Sequence, residues 1–406
     1  MFSNIKLALF LAMKTIFRGD KGALFLTVFI MLVIFLNLLF MDSIFAGISQ
    51  TMDNGKINYQ YGEVIIEPKT GDRYITQTDD IVNYLKDFYC IKSITYRLRT
   101  GATLLNDKNG DGRDVAKFSA GVIGINPTID NKSIDIKSNL VSGRYLKNDD
   151  YGKAILGTDI AGGYGSSVFP DDLEGVRVGD TVTAEYGNGI KRDYEIVGIF
   201  KTKNFDTDSK IFVTKKDLSN ILGTSNESSE IIVRLSDRNL SQKVVNYFNK
   251  KYSGKYDIAD WNDKLAFGRS INKSFDMIGN ILRIIGSLVA GLVIFIIIFV
   301  DIVNRRKQIG IMKAIGIPQS VVIYSYIIRG MFYTLLGIIL GFLTMKFGVI
   351  SFFRIHPIDF PMGWMVPFVK MKSLQMSIIL FIVAGLIGSF FPTIKEVRKK
   401  ILTLMK

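Results

Sequence analysis

Four long apolar runs divide this chain, and the polar stretches between them differ greatly in length. The runs cover about residues 23–41, 284–300, 330–345 and 374–391, the third with an apolar approach from Val321. A helix needs about 20 apolar residues to cross a hydrocarbon core of roughly 30 Å, and no other run comes near that length. The pattern therefore predicts a membrane protein with four transmembrane α-helices, at 23–41, 281–300, 321–345 and 374–392. A large α+β extracytoplasmic domain at 42–280 is inserted between the first and second. The remaining pieces are a segment at 301–320, a loop at 346–373 and a basic tail at 393–406. Ahead of the first run, Ile5, Leu9, Ala12, Met13, Ile16 and Phe17 recur at helical spacing with Lys6, Lys14 and Arg18 among them. Residues 1–22 thus read as an amphipathic helix on the membrane surface.

Inside the insert the period changes to two. Residues 63–67, 94–98 and 181–186 alternate as strands, and Gly187-Asn188-Gly189 supplies a turn into a further strand at 194–200. Helical patterns occupy 78–88, 215–222 and 240–251, which gives a mixed α+β domain in two lobes. Residues 42–52 and 261–277 are apolar at helical spacing, so helical stalks are expected next to the membrane. Asp107, Asn109 and Asp111, followed by Gly112, match the opening of a calcium loop. The position of the bidentate glutamate is Phe118, and Asn-Gly and Asp-Gly are also turn signals, so a plain turn is expected.

Charge fixes an orientation. Lys6, Lys14, Arg18 and Lys21 precede the first run, Arg305, Arg306, Lys307 and Lys313 separate the second and third, and Lys395, Arg398, Lys399, Lys400 and Lys406 follow the fourth. These segments share a side, and by the positive-inside rule it is the cytoplasm. The opposing loop holds Lys346, Arg354, Lys370 and Lys372, so the bias is moderate. The first run resembles a signal peptide in its basic front, but its core is long and Ile44-Phe45-Ala46 is a poor cleavage site; it is expected to stay. The net charge of +14 would suit nucleic acid, yet much of it flanks the apolar runs, so no nucleic-acid partner is expected. Mean hydropathy of +0.25 agrees with a membrane part joined to a large polar part.

Catalytic chemistry is missing. The chain has one histidine, His356, and one cysteine, Cys90, and no phosphate-binding Gly-x-x-x-x-Gly-Lys-Ser/Thr loop; the glycine-rich stretch 157–166 lacks the lysine. A catalytic role, a cofactor and a metal are therefore not expected on this chain. Arg283 and Arg329 flank apolar cores from which their side chains could snorkel to an interface, the alternative being a substrate or interhelix role. Gly286 with Ala290, Gly337 with Gly341, and Ala384 with Gly388 are small-residue pairs suited to close helix packing, within one chain or across a dimer.

The most informative segment is Arg306, Lys307, Gln308, Ile309, Gly310, Ile311, Met312, Lys313, Ala314, Ile315 and Gly316: short, basic, partly apolar and set between two spans. It is shaped to dock a cytoplasmic partner protein. Its sequence, RKQIGIMKAIG, resembles the coupling segment R-x-E-I-G-I-x-x-A-x-G of FtsX-like, MacB-type ABC permeases, with Gln308 in place of the usual Glu. Gly337 and Gly341 follow as in that family, Arg329 stands about where many members carry Glu, and Pro392 closes the fourth helix. The stretches 122–125, 142–146, 154–157, 178–180 and 196–199 are similar to the family's periplasmic core domain. The resemblance implies a permease subunit that docks this segment on a separate ABC ATPase, where ATP and Mg are bound, and pairs with a second permease subunit in the cell membrane. Ile309, Ile311, Met312 and Ile315 would be its apolar knobs, with Arg306, Lys307 and Lys313 as charge partners. ATP-driven motion of the outer domain would then export or extract lipidic, peptide or drug-like cargo. The alternatives are a non-transporting regulator of an extracellular enzyme such as a cell-wall hydrolase, and a membrane-tethered sensor that needs no ATPase.

Overall fold

The computed structural model describes residues 2–108, 115–165, 171–252, 254–264, 266–360 and 363–399. From the amino end it forms α1 (Phe2–Arg18) and α2 (Lys21–Lys56), the latter running into a π turn at Ile57–Tyr61. A strand-rich segment follows, with α3 (Thr78–Lys86), α4 (Lys215–Leu222) and α5 (Ser241–Tyr252) among its helices. The chain then continues through α6 (Ala266–Asn304), α7 (Arg306–Ala314), α8 (Gln319–Leu343) and α9 (Met371–Val397). It divides into two compact units, one of Met1–Gln50, Ile271–Ile358 and Met365–Lys406, the other of Thr51–Ser270 and Asp359–Trp364.

In the helical unit, four helices among the described residues are long and apolar enough to cross a membrane. α1 is separate from the first of them because Asp20 caps α2: its carboxylate accepts from the amides of Gly22 (2.8 Å) and Ala23 (3.4 Å). Ala8, Ala12 and Ile16 form the buried stripe of α1, whereas Ile5, Leu9, Phe10, Met13 and Phe17 are exposed.

Two expected boundaries move. The third run stays helical after Leu343 through a π turn at Thr344–Val349 and a further helix at Ile350–Ile355, so part of the expected loop at 346–373 is helix. Nothing in that stretch breaks a helix until Pro357, which disfavours helical backbone at His356. Pro392 does not close the fourth helix, which runs on to Val397. The carbonyl that Pro392 leaves without its helical donor is that of Gly388, and prolines are tolerated inside apolar helices packed against neighbours.

The small residues pack within this one chain. A Cβ on Gly337 would lie 2.7 Å from that of Met31, one on Gly341 3.0 Å from Phe35, and one on Gly388 2.3 Å from the Gly291 carbonyl oxygen. Nor do the two arginines snorkel. Both are buried and paired across helices, Arg283 to Asp42 (2.8 Å) and Arg329 to Asp301 (2.7 Å), because an unpaired guanidinium in apolar surroundings is costly.

The second unit is built on ten strands: β1 (Val64–Pro68), β2 (Ile91–Asp107), β3 (Val115–Ile125), β4 (Leu140–Gly143), β5 (Lys153–Gly157), β6 (Thr181–Tyr186), β7 (Lys191–Phe200), β8 (Lys210–Thr214), β9 (Glu230–Leu235) and β10 (Tyr256–Asp260). Their order is β10-β1-β9-β2-β3-β8-β5-β7-β4, and β6 pairs with both β2 and β7. That pairing closes a ring of β2, β3, β8, β5, β7 and β6, with Leu104, Val122, Val182, Ala184, Tyr194 and Ile211 in its core. On the other side of β2, the strands β9, β1 and β10 remain open and are covered by α3 and α5 through Leu85, Val245 and Phe248. The two expected lobes are thus one sheet sharing β2, whose residues 91–97 pair with β9 and 98–107 with β3. The ladder between β2 and β3 reaches Asp107 opposite Val115; Asn109, Asp111 and Gly112 of the calcium-like turn lie outside the described residues.

Candidate functional site

The segment between the second and third spans folds as α7, a nine-residue helix set off by defined breaks at both ends. At its start the Arg305 backbone leaves helical geometry (φ −104°, ψ 12°). Its end is a Schellman motif. The Gly316 amide donates to Lys313 O (3.1 Å) and the Ile317 amide to Met312 O (3.0 Å), while Gly316 sits at φ +91°. A residue with a side chain is strained at that φ, which accounts for glycine here. Met312 and Ile317, the pair that such a motif brings together, both pack on the helical core, and Pro318 then starts α8.

The helix presents two different faces. Ile309 is fully buried in the helical core and Met312 packs against it. Lys313 is committed as well, since its Nζ donates to the carbonyl oxygens of Val397 (3.0 Å) and Lys399 (2.8 Å). Those carbonyls at the end of α9 lack helical donors, so a lysine there satisfies them and opposes the negative pole of the helix. Arg306, Lys307, Gln308, Ala314 and Gly316 are exposed. So are Ile311 (53%) and Ile315 (71%), one helical turn apart.

An ionic group at the base fixes the helix. Asp301, near the end of α6, receives Arg305 Nε (3.0 Å) and pairs with Arg329 of α8. Removing one partner of such a largely buried pair costs about 3–5 kcal/mol, because it leaves the other charge uncompensated. Sequence reasoning passed over Asp301 and Asp42. The available signal was an acidic residue at the edge of one apolar run and an arginine at the edge of another, repeated at both ends of the helices.

Comparison with known proteins places this geometry. A family model described as FtsX-like permease C-terminal matches residues 280–401, the region that contains α7. Over that region the chain is similar to the FtsX-like permeases. The macrolide export ATP-binding/permease protein MacB of Campylobacter jejuni is 23% identical over 263 residues, covering 62% of this chain and 39% of the relative. An uncharacterized ABC transporter permease, YvrN of Bacillus subtilis, is 24% identical, covering 51% of this chain and 53% of the relative. The putative hemin transport system permease protein HrtB of Staphylococcus haemolyticus is 23% identical over 64% of each chain. The chain therefore spans less than two thirds of the length of each of the three. Among solved structures, the periplasmic region of MacB from Actinobacillus actinomycetemcomitans aligns with a TM-score of 0.36 at 15% identity, covering 51% of this chain and 92% of that one. No group of three or more His, Cys, Asp or Glu side chains that could hold a metal ion occurs among the described residues.

The eleven segment residues do not form a single contact face. Ile309, Met312 and Lys313, expected to face a partner, are turned to the chain's own helices. The face left open carries Arg306, Lys307, Gln308, Ile311 and Ile315.

Proposed function

We propose that this permease is the membrane subunit of an ABC transporter whose ATPase is a separate chain, and that it docks on that ATPase through the open face of α7. The observation that carries the proposal is the pair Ile311 and Ile315, two large apolar side chains held out of the core by a helix whose opposite face is anchored. Burying what remains exposed of both would contribute roughly 3 kcal/mol, or about a hundredfold in affinity. Arg306 and Lys307 would meet acidic groups on the ATPase. In this reading α7 and both termini are cytoplasmic, and ATP and Mg stay on the partner. The strand-rich unit lies across the cell membrane and changes posture when two such permeases and their ATPases close. The cargo is lipidic, peptide or drug-like.

Affinity-tagged permease recovered from native membranes tests this. Ile311→Asp with Ile315→Asp should lose a stoichiometric ATPase subunit, while the thermal midpoint of the permease is kept because both side chains are exposed. Recovery of the ATPase at the wild-type level, or a wild-type preparation with no ATPase, would overturn the reading. Ile309→Asp and Met312→Asp are unsuitable tests, since they place a carboxylate in the core.

A further inference from the structure

At the end of the helical unit remote from α7, a cavity of about 540 Å³ opens beside α8 and its π turn. Phe342, Met345, Ile350 and Val369 give it an apolar interior, and Lys346 and Arg354 also line it. One wall is fixed: the Phe368 amide donates to Ser43 O of α2 (2.9 Å), and a Cβ on Gly47 would lie 2.5 Å from Val366 O. The opposite wall is the helical extension that follows the π turn, a backbone irregularity often found at functional sites. Lys346, Ile350 and Arg354 recur every four residues along it, so two long cationic side chains flank an apolar floor.

The charges decide the occupant. Nearby Lys370 is paired with Asp276 (3.1 Å), whereas neither Lys346 nor Arg354 meets a carboxylate among the described residues. Phe347 and Met371, which also line the cavity, are exposed, so its apolar lining reaches the surface of the helical unit. An apolar cavity of this size takes a small hydrophobic ligand, and two cations without carboxylate partners favour a phosphate oxygen through charge-assisted hydrogen bonds. We infer that the cavity is a binding site for an anionic phospholipid of the surrounding bilayer, with acyl chain against Met345 and Ile350 and phosphate between Lys346 and Arg354. The inference goes beyond ATPase coupling and does not depend on it.

Native mass spectrometry of the full chain in a neutral detergent tests the site, with phosphatidylglycerol and phosphatidylcholine of identical acyl chains added in turn. Wild type should retain phosphatidylglycerol at least about fivefold more tightly, and Lys346→Gln with Arg354→Gln should reduce it to the phosphatidylcholine level. Ile350→Trp, which fills the cavity, should weaken both lipids. A preference that survives the double charge variant would overturn the inference. So would displacement of the lipid by an equal concentration of glycerol 3-phosphate, which needs no acyl pocket, or a second copy of the chain covering the site with no lipid retained. Should Ile350→Trp fail to fold, phosphatidylglycerol with a photoreactive acyl chain gives the same answer in wild type. Crosslinks should fall within residues 342–350 and 366–374, and crosslinks confined to other regions would refute the assignment.

Discussion

Gly388→Ala should destabilise the helical unit out of proportion to the single methyl group added. Gly388 of α9 crosses α6 at Gly291, and a Cβ there would sit 2.3 Å from the Gly291 carbonyl oxygen, where real Cβ atoms keep at least 3.0 Å. The obstacle is backbone and cannot rotate away, so the helices must separate by about 0.7 Å. A radial gap of 0.5–1 Å forfeits a quarter to a half of the dispersion attraction of each contact along the crossing. Overpacking of this kind costs about 1–3 kcal/mol, which corresponds to a fall in Tm of roughly 2–12 °C. Thermal unfolding of the purified chain in detergent, followed by helical circular dichroism, measures it. The matched control is Gly348→Ala, where the nearest side-chain atom, Thr344 Cγ2, is 3.8 Å away and the added methyl should be neutral or stabilising by up to about 1 kcal/mol. Equal midpoints for the two variants would refute the argument, because only one of them meets backbone.

Arg283→Met should cost about 3–5 kcal/mol by leaving Asp42 buried without its cation, and Arg283→Met combined with Asp42→Asn should recover part of that loss; an additive double variant in the same unfolding assay would show that the pair is not coupled. Gly316→Ala should destabilise by about 1 kcal/mol through its φ of +91° and raise hydrogen exchange in residues 309–317, and unchanged exchange there would count against the Schellman motif. In the strand-rich unit, burial pushes the Asp208 carboxyl up to about 6 against the hydrogen bonds from Thr202 that hold it down. A folded pKa above the unfolded value means that its contribution is complete below about pH 4 and is lost as pH rises through about 6, an effect on the order of 3 kcal/mol. Asp208→Asn should therefore flatten the change in exchange of residues 200–210 across that window; a slope equal to wild type would exclude Asp208 as its source.

The sequence made the helical unit legible in number and approximate place because lipid imposes a length and a composition that few other pressures produce. It gave the ends less well. Pro392 reads as a stop yet lies inside a helix that runs to Val397, and a loop reads from 346, where no proline occurs before Pro357. In the strand-rich unit, period-two alternation located individual strands such as Thr181–Tyr186, whose burial alternates along its length. Closure of the ring was not legible, since it depends on β6 pairing with both β2 and β7, a long-range choice that local pattern does not encode. For Arg283 and Arg329 the sequence leaves snorkelling and an interhelix role both open, and the structure shows the second, because the partners Asp42 and Asp301 lie on other helices and cannot be named from one helix alone.

The same limit explains what happened to the segment now seen as α7. Its composition announced a docking element but could not say which apolar side chains were free, because a short helix has a core face as well as an outer one. The structure separates them by two residues, about half a helical turn: Ile309 and Met312 inward, Ile311 and Ile315 outward. Lys313 on the α9 carbonyls and Asp301 between Arg305 and Arg329 tie the helix to α6, α8 and α9 at once. A partner that grips Ile311 and Ile315 consequently grips a piece fastened to three long helices. Displacing α7 alone would require withdrawing Ile309 from the core, at several kcal/mol, and pulling Lys313 off the α9 carbonyls. The cheaper response to a pull on that face is movement of the helices with it, which is the mechanical property that an ATPase-coupled permease requires.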